Sequence, residues 1–224
     1  MKKKLLIAVG ALIAIAAAAA FAYSRAQAAD AADALAAAVA SAAVAKVDQP
    51  APGFELVDSE GKTRSLSEFA GRTVVLEWTN HKCPFVGKHY DAGNMQAQQR
   101  AATADGVVWL TINSSAPGKQ GHVDGAGAEE VRRDVGAAQT AYLLDPEGVA
   151  GRAYGAKTTP HMYVIDPAGV LRYAGAIDDT NGSGSRDIAD ATQYVTQALD
   201  ELAAGQPVSV QVSRPYGCSV KYAN

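Results

Sequence analysis

Between Thr73 and Trp78 the chain reads Thr-Val-Val-Leu-Glu-Trp, a β-branched and largely apolar run. Such a run suits a central strand buried on both faces, and that single requirement obliges the rest of the chain to cover it from two sides. The sequence supplies the cover in an alternating order. A helix is predicted from about Cys83 to Ala104, weakened and kinked between Gly87 and Gly93. Val107 to Asn113 is a second apolar strand, Ser114 to Gly127 a polar, glycine-rich loop long enough to overhang a site, and Glu129 to Gly136 a helix with acidic residues at its start. Ala141 to Leu144 is a strand and Glu147 to Tyr154 a short helix or turn. His161 to Ile165 and Val170 to Ala174 flank Asp166-Pro167-Ala168-Gly169, the pattern of an antiparallel hairpin. Asp190 to Leu202 has helical periodicity through Ala191, Tyr194, Val195, Ala198, Leu199 and Leu202. Strands and helices in this order indicate an α/β fold, a mixed central β-sheet flanked by helices. No internal repeat is present.

The chain of 224 residues is long enough for one domain with a substantial core plus extensions. Lys2, Lys3 and Lys4 head an apolar stretch from Leu5 to Ala22, and Ala26-Gln27-Ala28 offers a small-x-small cleavage site, so residues 1–28 read as an export signal. An uncleaved membrane anchor is the alternative, and only then would the protein meet a membrane. Cleavage would remove Lys2, Lys3, Lys4 and Arg25 and move the formal net charge from −3 by four, to −7. No basic run survives, which argues against nucleic acid as a partner. The expected location is periplasmic or secreted. Residues 29–46, eleven of them alanine, are expected to form a tether or loosely docked helix, and Asp48 to Gly53 breaks it at the start of a domain spanning residues 47–205. Phe54 to Asp58 and the turn Ser59-Glu60-Gly61-Lys62 open an N-terminal hairpin extension, followed by a helical turn over Ser65 to Phe69 capped by Ser65. Residues 206–224 form a C-terminal tail carrying Cys218, which is expected to lie back across the domain.

Cys83 stands where the buried strand gives way to a helix, in Asn80-His81-Lys82-Cys83-Pro84-Phe85-Val86. Backbone N–H groups at a helix start are unpaired and the helix dipole is positive there, so a cysteine at this point has its thiolate favoured. Pro84 fits the first helical turn because it removes no needed donor. Cys83 and Cys218 are the two cysteines of the chain. They admit three readings: a static disulfide, whose closure would stabilise by about 4 to 5 kcal/mol on the entropy model, a redox-active pair in which Cys218 resolves what Cys83 attacks, or independent thiols. Cys83 also admits an inert role as a small buried hydrophobe.

The strand, the Cys-Pro helix start, the further strand and helix, and Thr159-Pro160 opening a hairpin together resemble the thioredoxin superfamily. The segment from Pro50 to Lys62 and Ser65-Leu-Ser-Glu-Phe-Ala-Gly71 are similar to its redoxin branch, the alkyl hydroperoxide reductase and thiol-specific antioxidant (peroxiredoxin-like) proteins. The resemblance runs from about Val47 to Gly205. It implies a thioredoxin-like fold, an oxidoreductase activity on disulfides or peroxides, a thiol protein or peroxide as partner, and no organic cofactor. Cys83 matches the nucleophile, while Val86 stands where the second cysteine of a Cys-x-x-Cys pair would be, so resolution falls to Cys218 or an external thiol. Glu77 matches the buried carboxylate used as a proton acceptor, whose pKa burial would raise. Pro160 matches the cis-proline facing the cysteine, and Thr159, Pro84 and His81 would border the bound substrate. The peroxiredoxin pattern is matched less closely, with Asn80 in place of its threonine and Leu76 in place of its proline.

A different class of function stays open beside this one: a non-catalytic binding module that holds a peptide, or copper or zinc through Cys83 with His81, His89 and His161. Gly61-Lys62-Thr63 resembles the end of a phosphate loop, but Leu56 occupies the place of its first glycine, and the segment reads as a turn. Asn113-Ser114-Ser115 and Asn181-Gly182-Ser183 match the glycosylation triplet, which is frequent by chance.

Overall fold

The computed structural model describes residues 44–186 and 188–223. Residues 1–28, read above as an export signal, and most of the alanine-rich segment lie outside the described residues. The apolar run at Val74–Trp78 is strand β3, following β1 (Glu55–Asp58) and β2 (Thr63–Ser65), and every one of its five residues is buried. On one side it pairs in parallel with β4 (Val108–Asn113), on the other antiparallel with β7 (His161–Ile165). β5 (Ala141–Leu144) and β8 (Leu171–Gly175) extend the sheet, giving the order β2-β1-β5-β4-β3-β7-β8. A separate two-stranded ladder joins β6 (Thr158–Thr159) to β9 (Cys218–Ser219).

Because successive side chains of a strand point to opposite faces, β3 contributes to two cores at once. Val74, Leu76 and Trp78 pack with Leu110, Ile112, Tyr154 and Tyr163 beneath α4 (Val149–Tyr154). Val75 packs with Cys83, Val86, Met95, Trp109 and Val195 beneath α1 (Pro84–Asp91), α2 (Asn94–Ala104) and α5 (Tyr194–Ala203). Glu77, on that second face, is an ionisable side chain at the centre of the sheet, with no exposed surface.

Four local readings are corrected. The helix expected from Cys83 to Ala104 is two helices, because Gly93 adopts φ +73, outside the right-handed helical region, and Asn94 starts afresh. α3 (Gly125–Asp134) begins four residues before the expected Glu129, capped by Asp124, whose carboxylate accepts from the Gly127 N–H at 2.8 Å. α5 begins at Tyr194 rather than Asp190. Ser65 precedes a short 3-10 helix (Leu66–Phe69) without capping it, its hydroxyl being bonded to that of Ser67 at 2.9 Å. In the β7–β8 turn, Asp166 Oδ1 accepts from the N–H groups of Ala168 and Val170. Among the described residues no helix is long and apolar enough to cross a membrane.

The tail leaves α5 and runs beside β8, where the Ala174 N–H donates to Gln211 O at 3.0 Å and the Ser213 N–H to Ala174 O at 3.3 Å. It then crosses to β6 and ends against α4. It thereby carries Cys218 over the end of the sheet from which α1 departs.

Candidate active site

Cys83 is the N-cap of α1, with Pro84 in the first turn. Its backbone is extended (φ −89, ψ 121), and its carbonyl accepts from the N–H groups of Val86 and Gly87. Asn80 shapes the approach: its carbonyl takes the Cys83 N–H at 2.9 Å, its Oδ1 takes the Lys82 N–H at 2.9 Å, and its Nδ2 donates to Gln120 O in the overhanging loop at 3.1 Å. The side chain that departs from the peroxiredoxin pattern therefore ties the cysteine turn to that loop.

The Thr159–Pro160 peptide is cis, and the Cys83 thiol donates to the Thr159 carbonyl at 3.1 Å. Thr159 is in turn paired in register with Cys218 across the β6–β9 ladder, which sets the Cys218 thiol beside Cys83, near enough for each to influence the ionisation of the other. Both cysteines are free. Cys83 is only 1% exposed, and Cys218 is partly exposed. Their environments are unequal. Burial opposes ionisation of Cys83, but hydrogen bonds from the Cys218 thiol, the Thr159 hydroxyl and the backbone of Cys218 and Val86 outweigh it, holding its pKa below the ordinary thiol value. Burial, the hydrogen bond with Cys83 and the proximity of its charge push Cys218 up to about 11. Of the two sulfurs, Cys83 is therefore the more readily ionised.

Glu77 lies on the same face of the sheet as Cys83. Its carboxylate accepts from Tyr90 Oη at 2.9 Å, Trp109 Nε1 at 2.9 Å, Gln99 Nε2 at 3.1 Å and Thr111 Oγ1 at 3.1 Å, and none of these bonds goes to the cysteine. Burial raises its pKa, and the four donors pull against that rise. Pro84 is exposed, and Pro160 is buried. His81 is half-buried and faces away, lining a cavity of about 80 Å³ with Gln139, Val131 and Tyr142.

The histidines do not converge. His89 Nδ1 is bonded to Asn94 Nδ2 at 2.9 Å and its Nε2 to Tyr216 Oη at 3.0 Å. His161 stacks on Tyr163, centroids 4.6 Å apart, on the sheet face away from Cys83. Among the described residues no three His, Cys, Asp or Glu side chains stand close enough to share a metal ion. The copper or zinc grouping of Cys83 with His81, His89 and His161 is thus corrected: strand alternation and the two ring bonds send the imidazoles apart.

Burial lowers the pKa of both His89 and His161 from 6.5 to about 4. For His89 the Asp178 charge resists that fall and Lys88 assists it; for His161 Lys157 assists. A depressed base is neutral in the fold and protonated in the unfolded chain, so its contribution is complete above pH 6.5 and disappears as the pH falls to about 4. His161→Asn should therefore differ most from wild type in melting temperature near pH 7.5, and the gap should narrow through that window by the equivalent of about 3 kcal/mol. A gap constant from pH 7.5 to 4.5 would contradict a neutral, buried His161.

Tyr216 and Tyr222 are site residues that the local sequence did not reveal. Their partners lie far off in the chain, and the only local hint is the aromatic-Gly-Cys sequence at Tyr216-Gly217-Cys218.

A model of the AhpC/TSA family matches residues 47–174. Among solved structures, a hypothetical protein from Sinorhizobium meliloti superposes with a TM-score of 0.70 at 23% identity, covering 80% of this chain and 95% of its own. An uncharacterized conserved protein from Geobacillus kaustophilus gives 0.68 at 24% identity, covering 80% and 93%. A candidate thioredoxin from Neisseria meningitidis gives 0.50 at 18% identity, covering 69% and 89%. No curated protein matches the chain. The fold is thioredoxin-like.

Proposed function

The chain belongs to the AhpC/TSA family, and on that premise we propose that it is a thiol-disulfide oxidoreductase in which Cys83 is the nucleophile and Cys218 the resolving thiol. The observation that carries this reading is the contact of two free thiols whose pKa values are displaced in opposite directions. A thiolate beside a protonated thiol can begin an exchange and then finish it.

In the first step the Cys83 thiolate attacks one sulfur of a disulfide R–S–S–R, forming Cys83–S–S–R and expelling one thiolate. In the second, Cys218 gives up its proton and attacks the Cys83 sulfur, forming the Cys83–Cys218 disulfide while the second thiolate leaves and takes that proton. The protein loses two electrons and the disulfide becomes two thiols. With a hydroperoxide, the same pair would pass through a sulfenic acid on Cys83, release an alcohol and then water, and end at the same disulfide. A partner dithiol protein would return the electrons, its approach bordered by Thr159, Pro160 and Pro84. The basic and apolar leader suits export to an oxidising compartment, where such a disulfide persists.

The test is oxidation of the reduced protein with one equivalent of diamide. The expected product is lighter by two hydrogens and yields one peptide pair joined through Cys83 and Cys218. Beforehand, iodoacetamide at neutral pH should label Cys83 well ahead of Cys218. Two thiols still alkylatable after oxidation would exclude the mechanism.

A further inference from the structure

The cysteine of the tail sits between two tyrosines, each seated in the body of the domain by contacts that have nothing to do with sulfur. Two residues before Cys218, Tyr216 Oη donates to the buried carboxylate of Asp178. The same oxygen meets His89 Nε2 at 3.0 Å, and since His89 Nδ1 accepts from Asn94, Nε2 is the donor. The Tyr216 ring lies 6.1 Å from that of Phe85, and Lys88 Nζ stands 4.8 Å from its centroid. Phe85, Lys88 and His89 all belong to α1, the helix that begins at Cys83.

Four residues after Cys218, Tyr222 Oη donates to Ala156 O at 2.9 Å, and Arg152 lies over the ring at 4.8 Å. The ring occupies space that a side chain at Gly148 or Gly151 would fill, so both positions are open to it. Between the two anchors the strap is thin. Gly217, at φ +131, passes so close to the Thr159 carbonyl that a Cβ would overlap it. β9 is two residues long, supported by Val220 N–H to Lys157 O at 3.1 Å and Ala116 N–H to Lys221 O at 2.8 Å. Two residues of ladder contribute little by themselves, because each hydrogen bond adds only about 1 kcal/mol net. Cys218 is held by what flanks it.

We infer that Tyr216 and Tyr222 are positioning residues, a two-point clamp that sets the effective concentration of the Cys218 thiol at Cys83 and, on release, uncovers Cys83 and the β6 edge to a bulky disulfide. This rests on Cys218 as the resolving thiol. With the clamp closed, Cys83 is 1% exposed and the edge beside Thr159 is taken by the tail, so a large disulfide reaches the sulfur only when the tail lifts. The same contacts therefore act in opposite senses on the two half-reactions, slowing attack by Cys83 on a large reagent and favouring closure of the internal disulfide.

Tyr216→Phe, which removes one oxygen, and Tyr222→Leu are compared with wild type. Equilibration with reduced and oxidised glutathione, followed by alkylation and mass analysis, gives the effective concentration of the Cys83–Cys218 pair. A second assay follows the rate at which Cys83, in a Cys218→Ser background, reacts with 5,5′-dithiobis(2-nitrobenzoate). Tyr216→Phe should lower the effective concentration about five- to tenfold and Tyr222→Leu by at least as much, while both raise the rate with the aromatic disulfide. A residue that served only general stability would move both readouts in step with a fall in the melting temperature of the reduced protein, whereas loss of the clamp moves them with that temperature nearly unchanged. Unchanged effective concentrations in both variants would overturn the clamp while leaving the thiol pair in place. Failure of wild type to form the internal disulfide at all would remove the proposed mechanism, and the clamp with it.

Discussion

Replacement of Cys83 by serine is expected to abolish turnover with disulfide and with hydroperoxide alike, a loss of at least about 10³-fold. A serine hydroxyl at this N-cap would keep the hydrogen bond to Thr159 and leave the fold intact, so the loss would be chemical: an alcohol there is neither ionised near neutral pH nor able to form a mixed disulfide. Cys218→Ser should fail differently. Its Cys83 would still attack, and the reaction should halt after one half-cycle with the reagent bound to Cys83, visible by mass and reversible by an added monothiol. The contrast separates the two sulfurs, since a static disulfide would give two variants with the same loss of stability and no trapped adduct. Wild-type turnover by Cys83→Ser would refute the mechanism.

Most of the sheet was legible because its strands are driven by burial, which marks a sequence locally. β3, β4, β5 and β7 are near-continuous apolar runs, and the hairpin turn carries its Asp-Pro-Ala-Gly signature. Helix ends were less legible. The break at Gly93 and the start of α3 at Asp124 depend on one backbone angle and one capping bond, which compete with a periodicity that runs smoothly through them. At the site, Cys83 and Pro160 could be read because each sits in a dipeptide with its own conformational meaning. The seat of Cys218 could not, since its specifying contacts join residues as distant in sequence as His89 and Tyr216, 127 positions apart. Asn80 illustrates a subtler difficulty. Measured against a peroxiredoxin pattern it is a departure, whereas in the fold its amide ties the cysteine turn to the loop at Gln120.

Glu77→Ala is expected to destabilise the domain by about 3 to 5 kcal/mol, a fall in melting temperature of about 10 °C. The carboxylate has no exposed surface and gathers one donor each from α1, α2 and two positions of β4, so its removal orphans Tyr90, Gln99, Trp109 and Thr111 together. Because Tyr90 and Gln99 belong to the helices that cover the Cys83 face, the loss should be felt in how firmly α1 is seated, and through α1 in the turn that presents the sulfur. Glu77→Gln is the sharper probe: it keeps an acceptor oxygen and the shape, but turns an amide N–H toward donors and removes the proton-accepting carboxylate. If Glu77 takes the thiol proton, the folded Glu77→Gln protein should oxidise at Cys83 roughly 10² or more times slower, with a shifted pH profile. The observed bonding favours the other outcome. Since the four hydrogen bonds to Glu77 come from other groups, Glu77→Gln should lose stability yet keep the pH profile of Cys83 alkylation, and a large displacement of that profile would return the carboxylate to the proton path.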